Sequence, residues 1–139
     1  MAHTYVIAEI GVNHNGSMDL TRQLIEAAVA ARADAVKFQT FRAEDLVTRK
    51  ARKADYQIAN TQSDDSQFDM LKALELTEAQ FAQARDLCAA AGIEFLSTPF
   101  SEAAADLLER VGVGAYKISS GDLTHLPLLT HIARKGRPI

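Results

Sequence analysis

The chain has 139 residues, 47% hydrophobic and 24% charged, with a formal net charge of −3. That is enough apolar material for one core, and its slight acidity gives no footing for nucleic acid or an anionic membrane. No apolar run nears the roughly 20 residues of a membrane span, no signal-peptide layout opens the chain, and the one cysteine, Cys88, rules out an internal disulfide framework, so a reducing cytoplasm is expected.

Tyr5-Val6-Ile7-Ala8-Glu9-Ile10 reads as the first strand, with Glu9 on the face of Ile7. A glycine- and asparagine-rich turn follows from Gly11 to Gly16, holding Asn13 and His14. Ser17 is placed to cap a helix with Asp19 in its first turn, and Leu20, Leu24, Ala27, Ala28 and Ala31 recur at helical spacing through Arg32. Ala35-Val36-Lys37-Phe38-Gln39-Thr40 is the second strand. Val36 and Phe38 share one face; Ala35, Lys37 and Gln39 share the other. A strand flanked by helices is normally apolar on both faces. Lys37 and Gln39 therefore mark either a wet strand end or a ligand pocket at the C-terminal rim of a parallel sheet.

Phe41 to Leu76 is the longest connection, locally basic at Arg49, Lys50, Arg52 and Lys53, with a short helix predicted over Gln67 to Glu75. A charge run is ordinarily a solvated face, whereas a connection this long in a compact domain is more often functional than idle. Thr77, with Gln80 three residues on, forms a capping box for a helix whose stripe is Phe81, Ala84, Leu87 and Ala91. Cys88 falls on this helix as a small core residue, and Gly92 ends it. Ile93 to Thr98 is the third strand, stopped by Pro99. Ser101 caps a helix through Arg110, and Gly112 ends it. The fourth strand, Ala115-Tyr116-Lys117-Ile118-Ser119-Ser120, repeats the second, its lysine included. Pro127 opens a helix to about Arg134, Gly136 closes it, and Pro138-Ile139 reads as the start of a fifth strand.

The order βαβαβαβα implies an α/β fold with parallel strands. Fingerprints of dinucleotide and nucleoside-triphosphate folds are missing. Polar residues end all four strands: Glu9, Lys37 with Gln39, Thr98, and Lys117 with Ser120. A βα barrel or an open doubly wound sheet could both start this way; an open sheet concentrates its site at one switch point, whereas a barrel recruits from every strand end, so a (β/α)8 TIM barrel is favoured. Two lysines at one rim suit phosphate and carboxylate, serine and threonine add neutral donors, and Glu9 could hold a lysine, orient a hydroxyl or move a proton. A Schiff-base aldolase also uses a strand-end lysine, and spacing does not separate the two chemistries. His14 is either a ligand or acid, or a plain turn residue. His125 and His131, six apart, make a poor metal pair, and His3 is uninformative.

Four segments carry a resemblance: Ile7-Ala8-Glu9-Ile10-Gly11-Val12-Asn13-His14-Asn15-Gly16, Asp34 to Thr40, Phe95-Leu96-Ser97-Thr98-Pro99-Phe100 and Tyr116-Lys117-Ile118-Ser119-Ser120-Gly121-Asp122. In this order they resemble the N-terminal barrel half of the sialic acid synthase (N-acetylneuraminate synthase) family. The resemblance implies condensation of phosphoenolpyruvate with an N-acetyl hexosamine such as N-acetylmannosamine, giving a nine-carbon acid and phosphate. It implies that Lys37, Thr98, Lys117 and Ser120 hold phosphoenolpyruvate and that Glu9, Gln39 and Asp122 face the sugar, with Glu9, Lys37 and Lys117 in the catalytic set. It further implies a homodimer and a divalent metal, Mn2+ or Mg2+, whose ligands lie beyond Ile139 with the remaining strands and an antifreeze-like domain. The chain is therefore expected to be a fragment, inactive by itself. It departs from the family in carrying Asp122 for the usual glutamate and Arg32 for the usual glycine. Alternatives are a sister synthase of legionaminic or pseudaminic acid, a more distant heptulosonate or octulosonate phosphate synthase, and a non-catalytic sugar- or phosphate-binding half-barrel.

Overall fold

A computed structural model describes residues 3–48 and 66–139. Strands β1 (Ile7–Gly11), β2 (Ala35–Thr40) and β3 (Glu94–Pro99) form one parallel sheet in the order β1-β2-β3. Helix α1 (Met18–Ala30) joins the first two strands. Between β2 and β3 lie α2 (Ala43–Leu46), α3 (Gln67–Ala73) and α4 (Glu78–Ala91). After β3 come α5 (Glu102–Val111), a 3-10 turn over Ser120–Asp122, and α6 (Leu126–Ala133). The helix predicted near Gln67 is present as α3, whereas the basic run from Arg49 to Lys53 lies outside the described residues.

Local chemistry sets these boundaries. Ser17, Thr77 and Ser101 each accept a backbone N–H at a helix start. Thr77 and Gln80 bond reciprocally, Gln80 N–H to Thr77 Oγ1 at 3.3 Å and Thr77 N–H to Gln80 Oε1 at 2.8 Å. Gly92 and Gly112 end α4 and α5 in the left-handed conformation, and Arg32 adopts it too, at φ 60° just past α1.

Two helices bury faces that only partly match those predicted. In α1 the buried set is Thr21, Ile25 and Ala28, so Ala28 of the predicted stripe is buried and Leu24 packs partly against the core, while Thr21 and Ile25 take the places expected of Leu20 and Ala27. Thr21 tolerates burial because its hydroxyl donates to Ser17 O at 2.9 Å, and Leu20 is left exposed. In α4, Phe81 and Ala84 of the predicted stripe and Cys88 are buried as expected, Leu87 packs partly against them, and Ala91 is exposed. Burial pushes the Cys88 thiol up to about 12, which keeps it protonated and inert.

The fourth predicted strand, Ala115 to Ser120, does not form as a strand. It makes a single parallel bridge, Tyr116 to Ser97, and Lys117 N–H reaches Ser97 O at 3.4 Å. A ladder needs repeated exchange with one neighbour. Here the segment turns away after one bridge, because the Ser119 hydroxyl draws Gly121 N–H into the 3-10 turn. On its other side Tyr116 N–H donates to Pro138 O at 2.9 Å, so the terminal residues lie alongside as the fifth-strand reading requires, without becoming a strand.

The core lies between the helices and one face of the sheet. Ile10, Val36, Phe38 and Phe95 meet Ile25, Phe81 and Leu108 there. Phe38 is central, with ring centroids 6.5 Å from Phe81 and 5.2 Å from Phe95. Each such side chain contributes about 1.5–3 kcal/mol by leaving water. Strand alternation then fixes what the opposite face must carry.

Candidate functional site

The inner face, turned away from this core, takes Ile7 and Glu9 from β1, Ala35, Lys37 and Gln39 from β2, and Leu96 and Thr98 from β3. Register makes neighbours of them: Glu9 with Lys37, Lys37 with Leu96, Gln39 with Thr98. Ser97 belongs to the helix side, where its hydroxyl meets Thr40 Oγ1 at 2.7 Å. Its bridge partner Tyr116 is buried on that side also, donating its phenol to Ala105 O at 3.3 Å. The next residue, Lys117, therefore falls on the inner face beside Thr98. Register pairs Gln39 with Thr98, and Glu9 with Lys37 in the row beneath, and the Ser97–Tyr116 bridge brings the segment that carries Lys117 alongside Thr98.

The two lysines sit in different surroundings. Lys37 is largely buried, its side chain 12% exposed, and its ammonium is paired with the Glu9 carboxylate. Lys117 is exposed, and its ammonium has no ion pair among the described residues. Thr98 is buried, and among the described residues its hydroxyl has no hydrogen-bond partner. Leaving such a donor unpaired costs about 1–3 kcal/mol, which makes it a feature in need of an explanation. Ser120 and Asp122 stand one step further along, in the 3-10 turn. Among the described residues neither bonds to the inner row, and Asp122 faces His125 at 3.9 Å.

Gly11 is a part of this site that the sequence reading treated only as a turn residue. The β1–β2 register shifts between Glu9 and Gly11, and Gly11 has φ +46°. A Cβ at Gly11 would stand 2.5 Å from Glu9 Oε1 and 3.2 Å from Gln39 Nε2. The Glu9 carboxylate and the Gln39 amide thus converge over a backbone that only glycine leaves bare. The available signal was a glycine two residues after an inward-facing carboxylate at a strand end.

His14 does not join the site. It is fully buried against Phe38, ring centroids 6.2 Å apart, and its Nδ1 accepts Gly16 N–H at 3.0 Å. Burial lowers its pKa, which favours the neutral ring and speaks against the acid reading, while its Nε2 has no hydrogen-bond partner among the described residues. His125 and His131 each lie beside a carboxylate away from the inner face, His125 3.9 Å from Asp122 and His131 Nε2 hydrogen-bonded to Asp106 at 2.6 Å. Among the described residues no three of His, Cys, Asp and Glu converge as a ligand set, so these side chains do not by themselves fit a divalent metal. A cleft of about 190 Å³ opens between α4 and α5, on the helix side, lined by Phe41, Leu76, Phe81 and Leu107. Its two arginines are already matched, Arg42 with Glu75 and Arg110 with Glu78, so its chemistry is separate from the strand-end lysines.

Comparison with known proteins follows the same lines. The model of the NeuB family matches residues 24–139. An N,N'-diacetyllegionaminic acid synthase of Legionella pneumophila is 47% identical over 97% of this chain and 38% of its own length. One from Campylobacter jejuni is 43% identical over 100% of this chain and 42% of its own. The crystal structure of an N-acetylneuraminic acid synthetase from Leptospira borgpetersenii, in complex with citrate, superposes with a TM-score of 0.79 at 26% identity, covering 98% of this chain and 43% of that one. The chain thus spans about two fifths of the length of these relatives. Its fold is α/β, the N-terminal half of a TIM barrel.

Proposed function

The chain belongs to the NeuB family, and from that premise we propose that it is the N-terminal barrel part of a synthase joining phosphoenolpyruvate to an N-acetylated amino hexose. The product is a nine-carbon acid of the sialic type, and phosphate is released. The remaining strands and a C-terminal antifreeze-like domain are assigned to the rest of the full-length enzyme, which we take to be a cytoplasmic homodimer. Among the described residues no helix is long and apolar enough to cross a membrane.

The observation that carries this reading is the inner row: a Thr98 hydroxyl without a partner among the described residues, beside Gln39 and next to the segment that carries Lys117, with Lys37 adjoining. Phosphoenolpyruvate brings about three negative charges, and two ammonium groups at one strand end answer its phosphate and carboxylate as point charges. Thr98 and Ser120 would each donate an O–H to its oxygens. Glu9, Gln39 and Asp122 would receive and orient the hydroxyl and amide groups of the acceptor. The enol carbon of phosphoenolpyruvate then attacks the acceptor aldehyde, and one C–C bond forms as the aldehyde oxygen takes a proton. Water adds to the cationic carbon left behind, loses its proton, and the phosphate departs by C–O cleavage. Lys37 and Lys117 hold the charge of the leaving phosphate throughout. A divalent ion, Mn2+ or Mg2+, would polarise the aldehyde in the full-length enzyme, and its ligands are assigned beyond these residues.

Two relatives that make N,N'-diacetyllegionaminic acid are 47% and 43% identical, against 26% for the neuraminic acid synthetase. This favours an acceptor with two acetamido groups over N-acetylmannosamine. Asp122, where the sialic acid synthases usually carry glutamate, fits a changed acceptor side. The test is phosphate release by the full-length enzyme offered phosphoenolpyruvate with each sugar, the bridging enol oxygen carrying 18O. Faster turnover with the diacetamido sugar and label in the phosphate are expected. Release that needs no sugar, or label left in the carbon product, would overturn the proposal.

A further inference from the structure

On the inner face, one of the two cations assigned to the substrate anion, Lys37, is already paired. Lys37 is 12% exposed and paired with Glu9, which is itself 46% exposed and reaches back over Gly11 toward Gln39. Two features hold the carboxylate there. The register shift in β1 falls between Glu9 and Gly11, and the bare Gly11 backbone leaves room for Glu9 Oε1 where a Cβ would come within 2.5 Å. Lys117, by contrast, has no carboxylate partner among the described residues.

We propose that Glu9 is a built-in competitor for the anion site: it neutralises Lys37 until phosphoenolpyruvate displaces it, and displacement frees its carboxylate for the second substrate. This rests on the reading of Lys37 as a phosphoenolpyruvate ligand and adds to it a cost of entry. An arriving trianion meets a lysine whose charge is spent, beside a carboxylate of its own sign. Binding exchanges one ion pair for another, so the net gain is smaller than two lysines would supply alone. Once Lys37 turns to the phosphoenolpyruvate, Glu9 has lost its cation and is available to accept hydrogen bonds from acceptor hydroxyls. The exchange moves no covalent bond. It makes the sugar side of the site depend on the phosphoenolpyruvate side.

The sign of one substitution tests this. A carboxylate that merely positioned Lys37 would help the anion bind, and its removal would weaken binding. A competitor does the reverse. Phosphoenolpyruvate and, separately, inorganic phosphate are titrated calorimetrically into the full-length enzyme, wild type and Glu9→Gln. Glutamine keeps the shape and removes the charge, and a denaturant melt of each variant confirms that the chain still folds with Lys37 unpaired. The expected result is tighter binding of both anions to Glu9→Gln, by about three- to tenfold. Equal or weaker binding, or no binding by either chain, overturns the proposal. Lys37→Met tells the two failures apart. If it loses phosphoenolpyruvate while Glu9→Gln shows no gain, the anion site stands and only the competitor role falls. If it binds as the wild type does, the assignment of Lys37 falls with it.

Discussion

Arg32 holds a left-handed backbone at φ 60°, the conformation that Gly92, Gly112 and Gly136 take at the other helix ends. A Cβ in that region costs about 1–2 kcal/mol, while glycine gives back about 0.4–1 kcal/mol through the freedom of the unfolded chain. Arg32→Gly is therefore expected to raise stability by about 0.5–1 kcal/mol in urea melts. A loss would mean that the arginine side chain makes a stabilising contact outweighing its backbone strain. This position was legible because three glycines at equivalent junctions made the exception visible. Lys37 was legible for a similar reason, a charge on a strand whose helical neighbours demand apolar faces. His14 was not. A histidine in a polar turn gives no sign that the turn folds it under Phe38.

Helix ends were the most legible elements, since Ser17, Thr77 with Gln80, and Ser101 state their caps in the local sequence. Helix faces were less so. In α1 the predicted and observed stripes share Ala28 but otherwise lie one residue apart, and both are spaced for a helix. Docking on the sheet chose the one whose threonine could bond back to Ser17. The fourth strand shows the opposite limit. Ala115 to Ser120 has the composition of β2, yet a strand depends on its neighbours, and this segment keeps β3 for a single bridge before Ser119 turns it aside. Even so, that one bridge suffices to set Lys117 on the inner face. The placement of the candidate site depends on parity along the strand, which survives the loss of the ladder.

At the scale of the whole molecule, the described sheet is short and its outer strand unprotected. Among the described strands β1 pairs only with β2, and Tyr5, Val6 and Ile7 at its start are 50%, 49% and 44% exposed. An unpaired edge beside apolar surface is an association site. The 139-residue chain in isolation is expected to self-associate, with a closed isologous pair as the form that covers both copies' edges. Light scattering at micromolar concentration checks this, and a cooperatively melting monomer of 15.1 kDa would contradict it.

The central claim is that the inner row of strand-end residues holds phosphoenolpyruvate. Its most direct test is a calorimetric titration of phosphoenolpyruvate into the wild-type protein and Lys117→Ala, the exposed lysine whose loss leaves the core untouched. A charge-assisted contact is worth about 1.5–3 kcal/mol, so affinity should fall on the order of tenfold or more. Equal affinity in the two proteins would contradict the account.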